Sequence, residues 1–402
     1  MSAVVTGVGV VAPNGVGTRE YWEHTVSGTR GIGPITNFDA SDYPVRLAGE
    51  ATGFDPVDHI PNRLLPQTDR VTQFALAAAE WALADARVDP AQLDPFDMGV
   101  VTANSTGGFE FGQHELENLW GRGPQYVSAY QSFAWFYAVN TGQISIRHGM
   151  RGPTGVVVGE QAGGLDALAQ ARRRVRSGTR LLVSGGMEAP LCPWAVAAQS
   201  PNRRISRSDD PERAYRPFAA GASGYVLGEG GAILIVEDPV AARRRGAPVY
   251  GEIAGYRATF DPRPGSGRPP SLETAVRGAL EDARTLAADI DVVFADAAGV
   301  SDLDLIEARA IASVFGAATV PVTAPKTMTG RLNAGGAALD VATALLAIRD
   351  GIIPPTVNHT GLAGGCDIDL VTEARPARIR TALVIARGHG GFNAAMVVRA
   401  PR

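Results

Sequence analysis

Gln161 ends an apolar run and opens a helical pattern, within Gly155-Val-Val-Val-Gly-Glu-Gln161-Ala-Gly-Gly-Leu-Asp-Ala-Leu. A side chain at such a strand-to-helix turn is held tightly, and the first backbone N–H groups of the helix point toward it. With a cysteine there, the same geometry lowers a thiol pKa and holds an oxyanion. Here the side chain is an amide, which cannot be acylated. The turn has the geometry of a nucleophile without the nucleophile. Lys326 is a second candidate. Among 37 basic residues it is the single lysine. A strong arginine bias is expected from a GC-rich genome, and a lysine that survives it marks a place where a compact ammonium fits and a planar guanidinium does not.

The elements that must hold these groups follow from periodicity. Segments 4–11, 98–102, 156–159, 181–184 and 232–237 read as strands, and 69–86 and 164–177 as helices. An Arg-rich, Pro-bounded stretch at 239–248 marks a junction. Beyond it come strands at 249–256 and 292–295, helices at 271–286, 305–315 and 335–350, and a last strand at 381–386. Two similar α/β halves, 1–245 and 246–402, with helices on both faces of a sheet, predict a duplicated α/β architecture. The 48 glycines and 27 prolines are spread through turns rather than gathered in a linker.

Composition excludes several classes. At 402 residues and 45% hydrophobic content the chain can bury a large core. A formal net charge of −4 implies no general affinity for nucleic acid. No apolar run approaches a membrane span, and the first residues enter a strand rather than a signal peptide. Cys192 and Cys366 form neither a disulfide framework nor a metal motif, which fits a reducing cytoplasm. The six histidines show no ligand-like pairing, so no metal is expected.

Several blocks together resemble the β-ketoacyl synthases: Arg216-Pro-Phe218 followed by Gly224-Tyr-Val-Leu-Gly-Glu-Gly-Gly231, Ser184-Gly-Gly-Met-Glu-Ala-Pro190, and Gly388-His-Gly-Gly-Phe-Asn393. The resemblance spans essentially the whole chain and implies a thiolase-like, five-layered α-β-α-β-α sandwich. Within that family, the segments 125–140, Glu160-Gln161-Ala-Gly-Gly-Leu-Asp166 and Pro325-Lys-Thr-Met-Thr-Gly-Arg331 resemble the chain length factors, the ketosynthase β subunits of type II polyketide synthases. Glutamine in place of the cysteine is that subfamily's mark.

The resemblance places the catalytic set residue by residue. Gln161 stands at the cysteine position, Asp296 at the first histidine and Arg331 at the second; Lys326 and Glu307 are retained. An ionised aspartate donates no hydrogen bond and arginine is no general base near neutral pH, so the chain should not condense on its own. Three local expectations follow. The Gln161 amide should place its carbonyl where an oxyanion would sit and satisfy buried N–H groups. Lys326 should pair with Glu307, and Asp296 with Arg331.

Segment 109–120 reads as a helix with Phe109, Gly112 and Leu116 on one face. In the family this helix lines the tunnel that holds the growing polyketide, and Phe133 and Trp194 resemble further wall positions. A mid-helix glycine costs up to ~1 kcal/mol relative to alanine, so space is the reason expected for Gly112. Side-chain sizes there, with the resemblance, favour a product of roughly twenty carbons. The implied function is a non-condensing partner of a ketosynthase α subunit, setting polyketide length. Substrate is expected on the phosphopantetheine of an acyl carrier protein, with no cofactor held by this chain. A malonyl-carrier decarboxylase, a divergent stand-alone synthase and a purely structural subunit are the alternatives.

Overall fold

The computed structural model describes residues 3–263 and 265–401. In the first half, strand β1 (Ala3–Ala12) is followed by helix α1 (Arg70–Asp85), β2 (Met98–Ala103), α2 (Phe109–Arg122), β3 (Thr154–Val157), α3 (Glu160–Arg176), β4 (Leu181–Glu188), the short α4 (Pro193–Gln199) and β5 (Gly230–Glu237). The second half contains β6 (Gly251–Phe260), α5 (Leu272–Ala283), β7 (Val292–Phe294), α6 (Ser301–Phe315), β8 (Pro321–Thr323), α7 (Ala334–Asp350), β9 (Asp369–Leu370), β10 (Thr381–Arg387) and β11 (Phe392–Arg399).

Hydrogen bonding orders the first half β3-β2-β4-β5-β1 and the second β8-β7-β10-β11-β6, with the short β9 outside β8. Numbered within each half, both orders are 3-2-4-5-1. In each, the three outer strands are parallel and the last two are antiparallel. The halves meet where β1 pairs antiparallel with β6 over Ala3–Val5. This is a duplicated fold.

Between the sheets lie α3 and α7, sharing one core with strands of both halves. Every residue of α7 from Ala334 to Ile348 is buried, as expected for a helix that is small and apolar on nearly every side, Asp340 and Thr343 being the exceptions. Close approach is enforced at Gly164, where a Cβ would sit 2.4 Å from the Ala334 carbonyl oxygen. Helix α1 packs a second core on the outer face of the first sheet. Helices α5 and α6 pack a third on the outer face of the second. The five expected layers are therefore present.

Several element readings need correction, among them the helix expected at 305–315, which starts four residues earlier, at Ser301. The strand at 381–386 is not the last: β11 follows it and pairs on both edges, with β10 and with β6. The glycine-rich turn at Gly388–Gly391 hid a continuous apolar run behind loop signals. The helix expected from residue 164 starts four residues earlier, at Glu160, so Gln161 sits in its first turn.

Candidate functional site

Gln161 is fully buried in the first turn of α3, just after Glu160, whose φ is 49°. Asp296 follows the end of β7, and Arg331 precedes α7; beside them Ala297 and Asn333 have φ of 50° and 46°. Three non-glycine residues in left-handed backbone thus converge on one place, a concentration of strain typical of functional sites.

The charge swap forms the expected pair. Arg331 donates to both carboxylate oxygens of Asp296, at 3.1 Å each. Asp296 also accepts the Arg387 N–H at 2.8 Å, and Arg331 donates to the Arg387 carbonyl. The Arg331 guanidinium lies over the Tyr225 ring, 5.4 Å from its centre. Burial works against the charge on Arg331, but Asp296 and then Glu160 outweigh it and hold the guanidinium protonated.

Two other expectations fail. Lys326 does not pair with Glu307: its Nζ lies 2.8 Å from Asp340 Oδ2 on α7 and also donates to the Ala295 carbonyl. Glu307 instead accepts the N–H groups of Asp296 at 2.7 Å and Ala297 at 2.8 Å. It therefore fixes the backbone that carries Asp296. Among the described residues the Gln161 amide satisfies no buried donor, since neither its oxygen nor its nitrogen has a hydrogen-bond partner. A Cβ on Gly336 would lie 2.6 Å from Gln161 Nε2, so α7 presses directly on this amide.

Asp304, in the first turn of α6, is buried and accepts N–H groups from Phe218 and Gly299. Burial raises its carboxyl from 3.8 to about 7. The folded chain thus holds this proton more tightly than the unfolded one. Stability from it is fully present below about pH 4 and is lost as pH rises toward 7. Asp304→Asn should flatten the fall in Tm between pH 4 and 7, whatever constant cost the amide adds. An unchanged slope in thermal melts would contradict this assignment.

The five wall residues are only partly gathered. Phe109 and Trp194 meet edge-to-face at 5.0 Å. Gly112 is buried against the same ring: a Cβ there would lie 3.3 Å from Trp194 Cζ3. The room at Gly112 therefore receives Trp194 and does not open a cavity by itself. Leu116 and Trp194 border a surface depression of about 520 Å³. Phe133 lies on the short helix Gln131–Ala134, its ring edge-on to Tyr130 at 5.9 Å. Gln113, overlooked in the sequence, accepts the Trp194 N–H at 2.8 Å and so ties α4 to α2. Its place beside the Phe109–Gly112–Leu116 stripe was the only available signal.

Comparison with known proteins agrees with this geometry. Residues 2–241 match the β-ketoacyl synthase N-terminal domain and residues 250–360 the β-ketoacyl synthase C-terminal domain. The chain is 61% identical over 399 residues, covering 98% of both chains, to the tetracenomycin polyketide synthase ketoacyl synthase beta subunit of Streptomyces glaucescens. Among solved structures, the ishigamide ketosynthase/chain length factor superposes with a TM-score of 0.90 at 27% identity, covering 100% of this chain and 99% of that one. A type II polyketide synthase ketosynthase, in complex with its acyl-carrier protein and bound to the hexaketide, gives 0.89 at 26% identity, covering 100% and 99%. The chain belongs to the β-ketoacyl synthase family, with its thiolase-like fold. Within that family it is a ketosynthase β subunit, the chain length factor of a type II polyketide synthase. Among the described residues no helix is long and apolar enough to cross a membrane.

Proposed function

We propose that this chain is the non-condensing half of a ketosynthase heterodimer and sets polyketide length for its α subunit. One observation carries the reading: the nucleophile turn holds Gln161, and the two positions that need imidazoles hold an Asp296–Arg331 ion pair. An amide offers no nucleophile comparable to a thiolate, and a paired guanidinium offers no general base. Pairing is supported by exposed aromatic groups around α2, including Trp120, Tyr126, Trp135, Phe136 and Trp194. Apolar surface of this kind marks an association face.

In this reading Phe109, Gly112, Leu116, Phe133 and Trp194 form the measuring wall on the chain's side of a shared tunnel. Substrate arrives on the phosphopantetheine of an acyl carrier protein in the cytoplasm, and the chain itself holds no cofactor. The two ketosynthase-like halves divide between residues 245 and 246.

Co-expression with the α subunit of the same pathway tests the reading. The two chains should co-purify as a heterodimer. Radiolabelled acyl carrier thioester should label the partner and leave this chain unlabelled. Stable label at residue 161, or a monomer that ignores its partner, would end it.

A further inference from the structure

Glu160, the residue before Gln161, lines a cleft of about 450 Å³. Asp296 and Arg331 line it, with Arg204 and the loop Gly388–Phe392 at other points of its wall. A backbone hydrogen-bond donor and a cation converge inside on one side chain. The His389 N–H donates to Glu160 Oε2 at 2.8 Å, and Arg331 Nε lies 3.7 Å from Glu160 Oε1. The loop is tight here, since a Cβ on Gly388 would lie 3.3 Å from Glu160 Oε2. Glu160 takes this place in a left-handed backbone that a residue with a Cβ adopts only under strain. Neighbouring Gln161 bonds to neither group.

We infer that the His389 N–H and the Arg331 side chain form a carboxylate-binding cradle, that the chain keeps it filled with its own Glu160, and that vacating it admits a small free carboxylate. A backbone N–H beside a guanidinium suits a carboxylate, because charge-assisted hydrogen bonds of this kind are the strong ones. The charge balance points the same way. Five arginines (Arg204, Arg263, Arg268, Arg331 and Arg387) face four carboxylates (Glu160, Asp261, Asp296 and Asp302) around the cleft. Removing Glu160 leaves two of those cationic charges unmatched.

The consequence for function rests on the non-condensing reading. A cradle filled from within keeps the carboxylate of a carrier-bound malonyl group off this chain and leaves it to the partner. Binding to the cradle does not depend on that reading, so the two can fail separately.

Glu160→Gly is the variant to use, because glycine removes the carboxylate and adopts the positive φ without strain. Glu160→Asn is the second variant, since asparagine also tolerates this backbone and is too short to reach as glutamate does. Acetate binding is followed by the line broadening of ¹³C-acetate, on the full chain co-purified with its partner, at constant ionic strength. Both variants should bind acetate at least about tenfold more tightly than the native chain. Glu160→Gln should stay at the native level, because its amide oxygen still accepts the His389 N–H. The inference is overturned if folded Gly and Asn variants bind acetate no better than the native chain. It is equally overturned if the Gln variant binds as they do, or if chloride displaces acetate at equal concentration.

Discussion

Arg331→Met should destabilise the chain by about 3–5 kcal/mol, the usual cost of breaking a buried ion pair from one side. Asp296 is fully buried and loses a two-pronged partner in this variant. It keeps only the Arg387 N–H, which cannot neutralise it. Asp296→Leu strands the guanidinium in the same way, though Glu160 and Tyr225 still face it. The double variant should lose clearly less than the two single losses combined, because no lone buried charge remains. It still leaves the Arg387 N–H and carbonyl short of partners, at about 1–3 kcal/mol for each unsatisfied group. Urea unfolding of the four proteins measures the coupling. Additive losses would mean that the pair seen here does not act as one.

Gly112→Phe should shorten the polyketide. A Cβ at this position already meets the Trp194 ring at 3.3 Å, so a phenyl group must push that ring aside. Trp194 is 43% exposed and sits on a helix of seven residues, so it can move outward. The movement carries bulk into the face where the tunnel is proposed to run. Overpacking of about 1–3 kcal/mol, felt only by the native-length chain, would cut its share of product about tenfold. Leu116→Ala should act in the opposite direction, lengthening the product or broadening its distribution. Mass spectrometry of polyketides from the reconstituted pair reads both. A folded, active Gly112→Phe complex with an unchanged product would show that α2 is not the measuring wall.

Much of the fold was legible because long periodic segments leave few choices. The apolar runs of β1, β4 and β5 and the small-residue pattern of α7 could only be buried. Short elements near glycine-rich turns were harder. Strand β11 was lost because local turn signals at Gly388–Gly391 outweighed five apolar residues that only a sheet with two free edges could claim. The start of α3 was misplaced for a related reason: Gly159, Gly163 and Gly164 read as one turn, although the residue in left-handed backbone is Glu160 and the helix runs on through the last two glycines.

At the site, the amino-acid types alone determined what residue 161 cannot do, since no surrounding fold makes an acyl acceptor of an amide. The same holds for Asp296 and Arg331, whose opposite charges at the family's two histidine positions made a mutual pair the expectation. Which partner each remaining group found was decided by tertiary structure. Lys326 found the buried carboxylate of Asp340 on α7, not that of Glu307. Glu307 is committed to two backbone N–H groups at the end of β7. Gln161 is pressed against Gly336 of α7 and found no partner among the described residues, while the carboxylate beside it took the His389 N–H. Such choices depend on distances of a few ångströms between loops from separate strands, and those distances exist only once both sheets have packed against α3 and α7.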